Sequence, residues 1–392
     1  MSFDPFRPPL LKRYNWKERV ATGINMSVYR LEDTVSGDSL AGKVEEKANK
    51  TSSYLKQELA VLEKLAIKPG FPTCKFFTET AKEWILGTEL LGPSVDKLLN
   101  LYREKLTMRT VMRLGLRMLG QLRSMHECGL VHRDVRPESF VLSRNFHTES
   151  VFNVYVTNFG LARLFIDPET KEHIPLKTRD AMVGTARFAS IHVHKGMEPS
   201  RRDDLESLAY VLIFLLFGHL PWDNLKLDKK AMAGAIGDIK SGTSAKELCK
   251  GLPDELREFL EFVRGLEFNQ EPDYGLLTGL LDKIVSSPDK AWDKVAEVSS
   301  AAKSAVRRSL SRSKSVLKSD GQRILVDNEK ERISPVPVSP SSKPIELEAD
   351  LVKFEKEVVH KPRVQKPKKG NGCMFAFCRS YDVDDIVEDD RI

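Results

Sequence analysis

The sequence predicts an α+β fold in two lobes, a small β-rich N-lobe and a larger helical C-lobe, followed by a disordered C-terminal tail. Three observations carry this. Short runs rich in β-branched and aromatic residues dominate the chain up to Gly92-Pro93. After that point apolar residues recur at spacings of three and four, the period of a helix face. Near residue 290 the apolar rhythm gives way to Ser, Pro, Lys and Arg, a composition that cannot bury enough apolar surface to fold alone.

Taken in order, Trp16 to Glu32, Leu40 to Glu45, Thr73 to Phe77 and Trp84 to Leu90 read as strands, with a turn at Ser36-Gly37-Asp38. A helix from about Ser52 to Leu65 interrupts them. Val111, Leu114, Met118, Leu122 and Met125 then form one face of a long helix, with Thr107 placed to cap its N-terminus. The apolar run Leu208 to Phe217 is roughly half the length a bilayer crossing needs, so it reads as a buried core helix.

Composition narrows the function. Among 392 residues, 62 Lys and Arg face 56 Asp and Glu, a surplus too mild to argue for nucleic acid. The five cysteines, at 74, 128, 249, 373 and 378, include no zinc-type pairs, and no secretory segment opens the chain. A reducing, cytoplasmic setting is expected, with nothing in the chain against the nucleus.

The chemistry-bearing signal is Val131-His132-Arg133-Asp134-Val135-Arg136-Pro137, between the long helix and a short apolar strand. It is joined in order by Lys43 on a strand, Glu58 on the next helix, Asn158-Phe159-Gly160, and Gly184-Thr185-Ala186-Arg187. Together these resemble the eukaryotic protein kinase domain. Leu90-Leu91-Gly92-Pro93-Ser94, Gly184 to Ser190 and Ser200 to Leu208 are similar in detail to the casein kinase 1 group. The resemblance runs from 14 to 286, leaving 290–392 as tail. It implies a bilobal serine/threonine protein kinase fold that uses ATP and magnesium and acts on proteins.

Residue by residue, the resemblance puts the three positions of the glycine-rich loop on Ala21, Gly23 and Met26, aligned on Val28. Only Gly23 keeps the small residue that lets backbone amides approach phosphates. Lys43 and Glu58 fall on the phosphate-pairing ion pair, Thr88 on the gatekeeper, and Glu89 to Leu91 on the hinge against adenine. Asp134 matches the catalytic aspartate, and Arg136 replaces a lysine that helps neutralise the transferred phosphate. The two magnesium-ligand positions are Asn158 and Ser139, where the family has Asp and Asn. An amide and a hydroxyl are weak ligands for a hard cation, so magnesium is doubtful and ATP binding is expected to be weak. Arg187 is expected to receive an acidic or phosphorylated protein segment, with a solvated loop or pairing to Glu206 as the plainer alternative. Lys177 and Arg179 read as a solvated loop, His132 as a packed core residue, and Asp204 as a brace for the catalytic loop.

Two readings stay open. One is a catalytically impaired pseudokinase that serves phospho-signalling as scaffold or regulator. The other is an active ATP-dependent serine/threonine kinase with weakened metal binding, since a Ser hydroxyl can serve on magnesium elsewhere. In the tail, Lys361 to Lys369 carries five basic residues beside Cys373 and Cys378. Basic charge and acylated cysteine are two modest membrane signals that act together, so palmitoylation and membrane association are expected of this segment. The acidic end from Asp382 opposes that reading, and the final Asp390-Arg391-Ile392 offers no prenylation box.

Overall fold

The computed structural model describes residues 8–287, apart from 24–25, 48–51, 102–105, 146–152 and 226. The basic and cysteine-containing features of 290–392 lie outside the described residues. The stretch from Trp16 to Glu32 divides at Gly23 into β1 (Tyr14–Thr22) and β2 (Met26–Asp33). These join β3 (Ser39–Glu46), β4 (Cys74–Glu79) and β5 (Glu83–Glu89) in an antiparallel sheet of order β1-β2-β3-β5-β4. Period-two alternation puts Tyr29 and Leu31 of β2 on one face, over a small cluster with Tyr14, Trp16, Leu40, Val44 and Ile85.

Helix α1 (Tyr54–Leu65) is inserted between β3 and β4. Its N-cap Ser53 accepts hydrogen bonds from the amides of Leu55 and Lys56. The buried Glu45 of β3 accepts the Ser53 hydroxyl at 2.8 Å and the Leu55 amide at 3.0 Å. Sheet and helix are thereby tied at one end.

The second lobe contains α2 (Val95–Leu101), α3 (Met108–Glu127), the antiparallel pairs β6 (Leu130–Val131) with β9 (Arg163–Leu164) and β7 (Phe140–Leu142) with β8 (Val154–Val156), α4 (Ile191–His194), α5 (Arg201–Phe217), α6 (Lys229–Gly242), α7 (Ala245–Leu248), α8 (Asp254–Arg264) and α9 (Tyr274–Ser286). The predicted face of α3, Val111, Leu114, Met118, Leu122 and Met125, is fully buried against α5 and α9, and Thr107 accepts the Thr110 amide. Helix α5 is buried at every residue from Arg202 to Leu215. It starts on a Ser200–Asp203 capping box and stops at Gly218, whose φ of +73° suits glycine. Among the described residues no helix is long and apolar enough to cross a membrane.

One apolar cluster runs through both lobes, joining Leu55, Leu65 and Leu86 to Phe140, Val156 and Phe159. Phe159 is the bridge, with its ring 6.1 Å from that of Phe71 and 5.7 Å from that of His132. Burial of this surface fixes how the lobes close on the cleft between them.

The loop after β6 hangs on Asp204, in the first turn of α5. Asp204 Oδ2 accepts the His132 amide at 2.7 Å, and Oδ1 accepts the Arg133 amide at 2.9 Å. Arg133 needs this hold, because its φ of +67° is left-handed backbone that a bulky residue adopts reluctantly. Burial pushes the Asp204 carboxyl pKa up, but hydrogen bonds from His126 and the loop outweigh it and leave the net direction downward. Asp204→Ala leaves two amides unpartnered, and should lower the unfolding free energy by about 3 kcal/mol in denaturant titration. Asp204→Asn, which keeps one acceptor, should lose less.

Candidate active site

Lys43 of β3 and Glu58 of α1 meet within the first lobe, Nζ to Oε1 at 2.5 Å, with side chains 10% and 1% exposed. At that burial the pair is shielded from solvent screening, so it fixes strand β3 against α1. Lys43 Nζ also donates to Asn158 Oδ1 at 3.3 Å. Asn158 sits in left-handed backbone, φ +67°, where Asn is tolerated, and its amide nitrogen donates to the Glu138 carbonyl at 3.1 Å. Both ends of this amide are engaged by the protein itself.

Ser139 is fully buried, and its hydroxyl donates to the Asp134 carbonyl at 2.9 Å. It serves as an internal tie of the loop. Asp134 presents Oδ2 to the Arg136 Nε at 3.2 Å, while Oδ1 has no hydrogen-bond partner among the described residues. The Asp134 amide donates to His132 Nδ1 at 3.2 Å, so the Thr157 carbonyl, 3.0 Å from Nε2, receives that nitrogen's proton. These two bonds orient the buried His132 ring, which is packed as its sequence context suggests. Gly184 closes the loop from the other side, at φ +81°; a Cβ there would lie 2.4 Å from the Arg133 carbonyl oxygen.

Above the cleft, Ala21 pairs with Val28, and Val28 with Lys43, across neighbouring strands. Met26 lies opposite Glu45, so it shares the sheet face of Val28 and Lys43, and it packs against the main core cluster. Gly23 donates its amide to the Met26 carbonyl at 2.7 Å. Thr88 is buried in β5 between Ala41 and Cys74. Glu89 is pinned to Thr73 twice, its Oε1 accepting the Thr73 amide at 2.8 Å and its own amide donating to the Thr73 carbonyl at 3.1 Å. Among the described residues, no hydrogen bond engages the backbone of Leu91, which leaves the donor and acceptor that an adenine edge requires.

The donor set does not fit magnesium. The ion is held in such sites through one or two carboxylates together with phosphate oxygens and water, and the two residues at its positions are neutral and turned toward the protein's own groups. Among the described residues no three His, Cys, Asp or Glu side chains are placed to hold a metal.

Arg187 is committed elsewhere. Its Nε lies 2.7 Å and its Nη2 2.5 Å from the two Asp223 oxygens, and the guanidinium stacks 4.5 Å over the Phe214 ring. The pairing with Glu206 weighed from sequence does not form; Glu206 accepts from Tyr210 at 2.5 Å and from the Ile191 amide at 3.2 Å. Arg179 donates to the buried Glu198 at 2.9 Å, and Arg133 approaches the same carboxylate at 3.1 Å. The Lys177 carbonyl accepts the Glu198 amide. Three residues that sequence reasoning did not single out thus organise the loop: Glu198, Asp223 and Lys240. Lys240 is fully buried, donates to the carbonyls of Ala186 at 2.8 Å and Ala189 at 2.6 Å, and stands 4.8 Å from each of the Tyr210 and Trp222 rings. Only the position of a lysine among apolar helix residues could have signalled it.

His194 contacts the same Ala186 carbonyl, at 3.0 Å. Burial first, and then the nearby Lys240 charge, push its pKa from the ordinary 6.5 down to about 4. A depressed histidine stabilises the fold above the unfolded value, and that contribution is lost as pH falls toward 4. Stability should drop by about 2 kcal/mol between pH 7 and pH 5 from this group. In thermal melts, His194→Gln should show a shallower loss over that interval than the unaltered chain.

Comparison with known proteins places these features. The family model for the protein kinase domain matches residues 14–270. Casein kinase I homolog 1 of Schizosaccharomyces pombe is 35% identical over 282 residues, 72% of this chain and 63% of the relative. Casein kinase I homolog 2 of the same yeast is 38% identical over 242 residues, 62% of this chain and 55% of the relative. Casein kinase I homolog 1 of Saccharomyces cerevisiae is 32% identical over 285 residues, 71% and 53% of the two chains. The chain thus matches less than two thirds of the length of each of these relatives.

Proposed function

The chain belongs to the protein kinase domain family, with a domain of the casein kinase 1 kind, and on that premise we propose that it is a catalytically impaired member, a scaffold or regulator in phospho-signalling. One observation carries the reading. Both positions that would hold magnesium are neutral side chains already hydrogen-bonded to the protein. Phosphoryl transfer relies on cations to meet charge that spreads over the transferred group. Losing the anchoring carboxylate costs on the order of 4 kcal/mol, about a thousandfold in rate.

The remaining geometry supports a binding role. The Lys43–Glu58 pair, the braced catalytic loop and the Asp134 carboxylate keep the shape of a working site. Its partner in this reading is a protein, acidic or phosphorylated. Capture at Arg187 requires the Asp223 pair to open first.

Purified chain incubated with labelled ATP, magnesium or manganese and an acidic peptide should transfer phosphate about a thousandfold more slowly than the Asn158→Asp, Ser139→Asn double variant. Robust transfer that vanishes in Asp134→Asn, and is indifferent to Ser139→Asn, establishes the active-kinase reading instead.

A second proposal rests on the sequence of the tail: the basic run Lys361 to Lys369 beside Cys373 and Cys378 brings the protein to a membrane surface after acylation. Fluorescence imaging of the Cys373→Ser, Cys378→Ser double variant should show loss of membrane signal; an unchanged distribution removes acylation from the account.

A further inference from the structure

A nucleotide cleft meets three separate demands, for the base, for the inner phosphates and for the outermost phosphate. This cleft meets them unequally. For the base, Leu91 at the hinge has no backbone hydrogen bond among the described residues, and Thr88 is buried behind it. For the inner phosphates, Lys43 is a fixed cation, held at 2.5 Å by Glu58 and at 3.3 Å by Asn158.

Among the described residues, nothing comparable is supplied for a third phosphate. Asn158 and Ser139 hold no charge and are turned to internal partners. Arg136, a cation of the catalytic loop, lies 3.2 Å from Asp134 and balances it. Met26 stands on the sheet face of Lys43, opposite Glu45, and places an apolar side chain in the position of a loop glycine. The two ion pairs Lys43–Glu58 and Arg136–Asp134 each sum to zero. A third phosphate adds about one further negative charge, and each of these two cations is already paired with a carboxylate.

We infer that the cleft is a nucleoside diphosphate site that takes its ligand without a divalent cation. This rests on the impaired-kinase reading and adds the ligand to it. The carboxylate that would normally make the site depend on metal is absent, and the amide in its place contacts the lysine directly. Affinity therefore comes from the hinge and from Lys43, both of which act on the part of the ligand that ADP and ATP share.

Calorimetric titration of the full chain with ADP, ATP and adenosine, first in chelator and then in excess magnesium, tests it. ADP should bind at least as tightly as ATP, magnesium should change either constant by less than about threefold, and adenosine should bind about tenfold more weakly than ADP. In Asn158→Asp, magnesium should tighten ATP by about tenfold or more, because the restored acid supplies the missing ligand charge. Lys43→Met should weaken ADP to the level of adenosine. ATP tighter than ADP, a magnesium effect of threefold or more in the unaltered chain, adenosine as tight as ADP, or no binding at all overturns the inference. An Asn158→Asp variant indifferent to magnesium overturns the role given to that residue. Magnesium-dependent binding without phosphate transfer sinks only this inference, whereas transfer by the unaltered chain sinks the impaired-kinase reading.

Discussion

The site depends on one carboxylate that does no chemistry. Asp204, buried in the first turn of α5, takes the amides of His132 and Arg133 and so decides where the following Asp134 points. The grip is rigid because α5 is itself wrapped by core on all sides, and because His126, hydrogen-bonded to Tyr274 at 2.6 Å, braces Asp204 from behind at 3.0 Å. A chain of polar groups thus runs from α9 through α3 and α5 to the catalytic loop. Each is buried and each has a partner, which is the condition under which such a chain stabilises a fold rather than weakening it.

Around this support, internal charges hold the segment between β9 and α5. Glu198 gathers Arg133 and Arg179, Asp223 fastens Arg187, and Lys240 satisfies two carbonyls from beneath. Three separate anchors leave little of that segment to be ordered by an incoming group. On the scaffold reading proposed above, such anchoring would keep this surface pre-organised for a partner.

Much of the fold was legible because period and punctuation agree with burial. The α3 face read from spacings of three and four is the face that is buried, and the Thr107 cap and the Leu208 to Phe217 core helix stand where they were expected. The residues at the cleft were legible only through resemblance, since nothing in the spacing of Lys43, Glu58 and Asn158 foretells that they touch. Glu198, Asp223 and Lys240 were missed for a physical reason. Their partners lie far away in sequence or are backbone carbonyls, and neither leaves a local pattern. Arg187 shows the same limit from the other side: its charge was legible, but not the Asp223 pair and the Phe214 ring that hold it.

Lys240 sits 54 and 51 residues beyond the carbonyls it satisfies. As the chain emerges from the ribosome, the turn around Ala186 and Ala189 therefore has to wait for α6 before its oxygens find a lasting donor. Until then the nearby His194 is the side chain closest in sequence that reaches the Ala186 oxygen. The order of synthesis thus places α6 ahead of the final hydrogen bonds of this loop.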